Sequence, residues 1–172
     1  MKTTTKILIG TGAGLLFLGL CFLAVLAYTA RSAREVYELD HTALKRQPVG
    51  SVKRLAAFSP DFHRSFFQLT LRPLPEGERE AYVEYPAELE PYVRLNTQGD
   101  TLHLSVLSLD SLQEARRAVH LSGVGATLYL PDGQLEEAEA AGAMLLLMER
   151  MSSNRPLLLR GDGMVNLYDS CR

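Results

Sequence analysis

The pattern of apolar and polar positions divides the chain into two parts. From Ile7 to Ala30 it reads ILIGTGAGLLFLGLCFLAVLAYTA with no charged residue. A helix of that length is roughly 36 Å long, enough to cross the hydrocarbon core of a bilayer. Lys2 and Lys6 before the run and the small residues near Ala27 also fit a signal peptide, but the run is long for that role. Residues 1–30 are therefore expected to form an uncleaved transmembrane anchor. Residues 31–48 come next, helix-compatible from Arg31 to Arg46, as a juxtamembrane stalk that ends near Gln47-Pro48 because proline disfavours helix in the residue before it.

From Val49 onward the period changes to that of strands, and residues 49–172 are expected to form one strand-rich domain. In SFFQLTLRPL, Phe67, Leu69 and Leu71 alternate with Gln68, Thr70 and Arg72, the two-residue period of a half-buried strand. AYVEYP reads as a short strand ending at Pro86. PYVRLNTQGDTLHLSVLSL reads as a hairpin turning at Gln98-Gly99-Asp100, with Val93, Leu95, Leu102, Leu104 and Val106 inward. Asp110 to His120 predicts a short helix capped by Asp110 or Ser111, with Leu112, Ala115 and Val119 along one stripe. ATLYLPDG predicts another strand, with Leu128 and Leu130 on one face. Leu135 to Met151 stays open: its propensity is helical, yet Gly142 costs a helix about 1 kcal/mol and Met144 to Met148 lack a polar face. RPLLLRGDGMVNLYD predicts a final pair of strands with a tight turn at Gly161-Asp162-Gly163.

Composition adds limits. Eighteen Lys and Arg against twenty Asp and Glu give a formal charge of -2, which does not describe a nucleic-acid surface. Cys21 lies within the apolar run and Cys171 beside the C-terminus, so the two form no disulfide framework. The basic residues Arg31, Arg34, Lys45 and Arg46 after the run favour a cytoplasmic domain by the positive-inside count. A short basic N-terminus before a single apolar helix instead favours export of the C-terminal domain, and export is the orientation expected here.

The polar residues form no recognisable catalytic or ligand-binding pattern: no catalytic, cofactor-binding or metal residue is expected. The histidines at 41, 63, 103 and 120 form no i, i+4 pair. Asp61-Phe62-His63 and the pair Asp100 and His103 read as ordinary solvated residues. Gly123-Val124-Gly125 lacks the third glycine or alanine of a dinucleotide fingerprint and reads as a lead-in to a strand. Arg160-Gly161-Asp162 matches an adhesion-receptor tripeptide, but Gly-Asp-Gly is ordinary turn chemistry. Glu136, Glu137 and Glu139 read as a solvated acidic surface.

One stretch carries a resemblance. Val83 to Val106, with Leu89, Tyr92 and Val93 leading into a hairpin that closes on Gly99-Asp100-Thr101-Leu102, resembles a repeating unit of a bacterial envelope family, the auto-transporter adhesin head domain, whose role is unsettled. The Leu130–Gly133 turn and the Gly-x-Gly at 161–163 are similar to corners of such a unit, so the likeness runs over about residues 65–169. It implies a short right-handed β-solenoid, with Leu135 to Met151 as strands, although the chain has fewer coils than a full head domain. The alternative is an antiparallel strand-rich domain with one short helix. The expected protein is a single-pass, inner-membrane, non-enzymatic interaction module. It is held in lipid by residues 7–30, with a periplasmic domain that meets an envelope protein or a glycan, no nucleic acid and no cofactor. An accessory or sensory subunit, packing through Gly10, Gly12, Gly14 and Gly19, is the second expectation.

Overall fold

The computed structural model describes residues 14–28, 36–60, 66–118, 120–151 and 156–168. The chain forms two units, Met1–Glu35 and Val36–Arg172. In the first, residues 14–28 form helix α1, with every side chain exposed. Leu15, Phe17 and Phe22 keep about two-thirds of their surface open, and Cys21 is exposed beside them. No helix among the described residues is long and apolar enough to cross a membrane. The anchor expected over residues 7–30 runs past both ends of α1, and those ends lie outside the described residues.

Among the described residues of the second unit, the regular elements are nearly all strands. Its elements are β1 Val36–Glu38, β2 Leu44–Pro48, β3 Arg54–Ser59, β4 Phe67–Pro73, β5 Tyr82–Pro86, a 3₁₀ turn Ala87–Leu89, β6 Val93–Gln98, β7 Thr101–Val106, α2 Asp110–Arg116, β8 His120–Ser122, β9 Gly125–Leu130, β10 Glu137–Gly142, β11 Met144–Glu149, β12 Leu158–Arg160 and β13 Met164–Tyr168. They make a five-stranded sheet ordered β12-β10-β3-β7-β6, a six-stranded sheet ordered β13-β11-β4-β9-β5-β2, and the small pair β1-β8. Within each large sheet a block of four strands is parallel, β12-β10-β3-β7 in one and β13-β11-β4-β9 in the other. Strands β10 and β11, or β3 and β4, therefore form successive rungs that bend from one sheet to the other. Antiparallel strands β6, β5 and β2 complete one side of the stack.

The inward residues of both sheets make one core. Leu55, Leu102, Leu104 and Val106 of the five-stranded sheet join a cluster with Phe67, Leu69, Leu71, Leu128, Leu130, Met144 and Leu146 of the six-stranded one. The alternation predicted for β4, β6, β7 and β9 is the alternation that fills this core.

Several expectations change. A solenoid in which each coil stacks on its predecessor does not describe this chain, because the β3-β4 rung lies between the later rungs β7-β9 and β10-β11. An antiparallel domain does not describe it either, since among the described residues antiparallel pairing is confined to β2-β5, β5-β9 and β6-β7. The mainly β class stands, with mixed sheets and one short helix in this unit. The stalk expected over 31–48 is overturned from Val36 onward: β1 pairs in parallel with β8 and β2 antiparallel with β5, so the strand unit starts before Val49. Residues 135–151 are the strands β10 and β11.

Helix α2 stops at Arg116, earlier than expected, because Arg117 turns left-handed with φ of 50°. Its N-cap position is Leu109 and makes no side-chain cap bond; Ser108 Oγ instead accepts from the Asp110 N–H at 3.3 Å. Of the predicted stripe, Leu112 is buried, Ala115 is exposed and Val119 lies outside the described residues. The last two strands do not pair with each other. They sit in different sheets, β12 on β10 and β13 on β11.

Candidate groove on the six-stranded sheet

Strand register sets the outer face of the six-stranded sheet residue by residue. Leu147, Thr70, Thr127, Glu84 and Arg46 occupy one row across β11, β4, β9, β5 and β2. Arg72, Tyr129 and Tyr82 occupy the next row, with Glu149 brought against Arg72. Over these rows lies a groove of about 720 Å³, within the size range of small-molecule sites. Gln68, Thr70 and Arg72 of β4, Thr127 and Tyr129 of β9, and Glu84 of β5 lie along its floor. Its walls come from the turn carrying His41, from Leu44, from β8 with Gly123, and from Phe66.

Local chemistry positions these groups. Asp40 Oδ1 accepts from the Thr42 hydroxyl at 2.6 Å and from the Thr42 N–H at 2.8 Å, a side-chain turn that shapes the segment bearing His41. Those two bonds, the hydroxyl's first, hold the Asp40 carboxyl below its usual pKa. A Cβ on Gly123 would lie 2.3 Å from His41 Nε2, so a side chain at 123 would make the imidazole move from its place in the wall. The same glycine has φ of +71°, which turns the chain from β8 toward β9.

The charges of the floor are already engaged. Arg72 donates from Nε and a terminal nitrogen to Glu149 Oε2 at 2.9 and 2.6 Å, and that bond raises the guanidinium pKa, with Tyr129 adding to it. Glu84 faces Arg46 at 3.5 Å. Arg46 also donates to Glu78 at 2.8 Å and lies 4.1 Å from the centre of the Tyr82 ring. Tyr82 stacks on Tyr129 with ring centres 4.6 Å apart. Burial, and then a hydrogen bond to Glu78, push the Tyr82 hydroxyl pKa up to about 12.

The residues singled out in the sequence fall in different places. His41 and His120 both line the groove. Residues 61–63, including His63, lie outside the described residues. His103 is on the outer face of the five-stranded sheet, opposite Ala56 and Asn96. The Asp100 carbonyl accepts from the backbone N–H groups of Lys53 and Arg54. Gly123-Val124-Gly125 does lead into β9. Asp162 Oδ1 accepts the Gly142 N–H at 3.1 Å and Arg160 pairs with Glu137 at 3.2 Å, so the Arg-Gly-Asp tripeptide is tied into the corner and its sheet. Glu137 also faces Arg54 at 3.9 Å, which makes a cross-strand charge row. Among the described residues, no three His, Cys, Asp or Glu side chains are grouped as a metal site would require. The groove was not visible in the sequence, because its floor draws on segments near 70, 84 and 128 that only the stacking brings together.

No family model matches the chain, and no curated protein sequence matches it. Solved structures do. A "putative adhesin" of Bacteroides fragilis superimposes with a TM-score of 0.50 at 11% identity, over 76% of this chain and 54% of that one. The fold resembles that of an adhesin-like protein. A "putative lipid binding protein" of Parabacteroides distasonis matches at a TM-score of 0.41 and 12% identity, over 78% and 55% of the two chains. A "putative adhesin" of the same species matches at 0.39 and 12%, over 77% and 58%. This chain spans a little over half the length of each of these structures. At such identities the likeness is one of fold.

Proposed function

We propose that this protein is a membrane-anchored, non-enzymatic interaction module of the bacterial envelope, tethered through residues 7–30 and presenting its strand unit in the periplasm. The observation that carries this reading is α1, which bears no charged residue and leaves Leu15, Leu16, Phe17, Leu18 and Phe22 exposed to about two-thirds. A row of large apolar side chains of that extent is stable in lipid or against another apolar surface, and costly in water. Two further features support it. The fold is similar to that of an adhesin-like protein, and the outer face of the six-stranded sheet carries a groove whose charged groups are paired.

The test is fractionation of the full-length chain in a bacterial host. After lysis without detergent and ultracentrifugation, the product should sediment with membranes and return to solution only with detergent. Protease added to spheroplasts should then digest the strand unit. Recovery in the aqueous fraction would end the anchoring reading, and protection from protease would reverse the orientation.

A further inference from the structure

We infer that the groove on the six-stranded sheet binds a neutral, hydroxyl-rich ligand of the saccharide class, an inference that rests on reading this unit as an interaction module. Charge limits the ligand first. Arg72 is bonded to Glu149 through two nitrogens, and Glu84 faces Arg46. An acidic ligand would have to displace Glu149 from Arg72, and a basic one would have to displace Arg46 from Glu84. Neither finds an uncommitted partner ion among these floor groups.

The groups that remain suit hydroxyls. The floor offers the Gln68 amide and the Thr70 and Thr127 hydroxyls, a set that both donates and accepts hydrogen bonds, beside the Tyr129 phenol that Arg72 engages. Gln68 Nε2 reaches Thr70 Oγ1 at only 3.3 Å, a long bond that a ligand hydroxyl could replace. The walls supply the opposite character: Phe66 is 53% exposed and Leu44 47% exposed. A sugar ring has this same division, with hydroxyls around its edge and C–H groups on its faces.

The floor offers no edge for an added peptide strand. Strand addition needs an open sheet edge. The floor strands β4, β9 and β5 are each paired on both sides. Recognition on the floor itself therefore runs through side chains. At about 720 Å³ the groove has room for more than one ring.

Titration calorimetry on the full chain in a sugar-free zwitterionic detergent tests this, with maltotriose, cellotriose and chitotriose as separate probes. At least one should bind saturably, in the millimolar range or tighter. Gln68→Ala and Thr127→Val each remove one polar partner and should weaken that binding by up to about tenfold, the effect of losing one hydrogen bond. Thr127→Phe should abolish it by filling the groove, while Glu139→Gln on the other sheet should leave it unchanged. Thermal unfolding of each variant separates loss of contact from loss of fold. Absence of saturable binding by all three probes would overturn the inference. So would tighter binding of trigalacturonate, or binding indifferent to all three groove variants. Because the titration is done in detergent, its failure leaves the fractionation result standing, and a failed fractionation does not alter the titration.

Discussion

Gly142→Ala and Gly133→Ala form a matched pair that tests how the rungs turn from one sheet to the other. Both glycines hold φ of +69°. They differ in surroundings: a Cβ on Gly133 would meet nothing within 4 Å, whereas one on Gly142 would lie 2.1 Å from the Ser59 carbonyl oxygen. Alanine in the left-handed region costs roughly 1 kcal/mol, and at Gly133 that is the whole expected loss. At Gly142 the added methyl must push β10 off β3 at the corner. The Ser59 carbonyl there accepts the Ala143 N–H at 3.0 Å. Losing that bond costs about 1 kcal/mol, and forcing an atom into a packed corner adds roughly 1 to 2 more. Gly142→Ala should therefore cost about 3 to 4 kcal/mol against about 1 for Gly133→Ala. Urea unfolding of the full chain in detergent, followed by the strand signal in circular dichroism, gives both values from the midpoint shifts. Equal shifts for the two variants would refute the stacked-corner account, since the backbone strain they share would then be the only effect present.

Three other outcomes are expected from the packing. Leu69→Ala removes a side chain with 0% exposure from the middle of the six-stranded sheet and should cost about 2 to 5 kcal/mol by the same urea assay. Stability should fall as pH rises from about 10 to about 12, because the folded state holds the proton on Tyr82 to a higher pH than the unfolded chain does. The stabilisation is complete below the unfolded pKa and is lost as pH passes the folded one. Tyr82→Phe should flatten that slope in unfolding measured across this range, with a remainder from Tyr85, whose hydroxyl pKa burial also raises. Glu88 accepts from the Tyr37 hydroxyl at 2.9 Å and from Arg116 at 3.1 Å, joining β1, the 3₁₀ turn and α2. Glu88→Ala should speed amide exchange in β1, β8 and α2 and leave β3 and β4 unaffected, as measured by hydrogen–deuterium exchange.

Strands with one face buried were legible because alternation is the signature of that environment. Phe67, Leu69 and Leu71 in β4, and Ala126, Leu128 and Leu130 in β9, are all buried at alternate positions. The hairpin of β6 and β7 was legible from Gly99, whose φ is +64° at the turn. Other segments failed for identifiable reasons. β10 turns only alanines inward, Ala138 and Ala140, so its composition reads as helix. β11 buries Met144, Leu146 and Met148 on one face and Leu147 on the other, which erases the two-residue period. β2 is an edge strand, LKRQP, and the charges and proline that suit an unpaired edge made it look like a stalk.

The groove depends on a feature that no local pattern encodes, the difference between chain order and stack order. β4 is the first strand of its sheet after β2, yet it lies between β9 and β11, which come later. That insertion sets Gln68, Thr70 and Arg72 beside Thr127 and Tyr129 on one flank and beside Leu145 and Glu149 on the other. Floor residues borne on a strand paired on both sides cannot shift without breaking two ladders, so the floor is the rigid part of the site. The walls are built differently. The turn with His41 is shaped by the Asp40 and Thr42 bonds, and β8 pairs with β1 over only three residues. A fixed polar floor under lightly held walls lets one donor and acceptor pattern meet ligands of differing outline. Discrimination among sugars should accordingly follow the floor residues, and tolerance of their substituents should follow His41, Leu44 and Gly123.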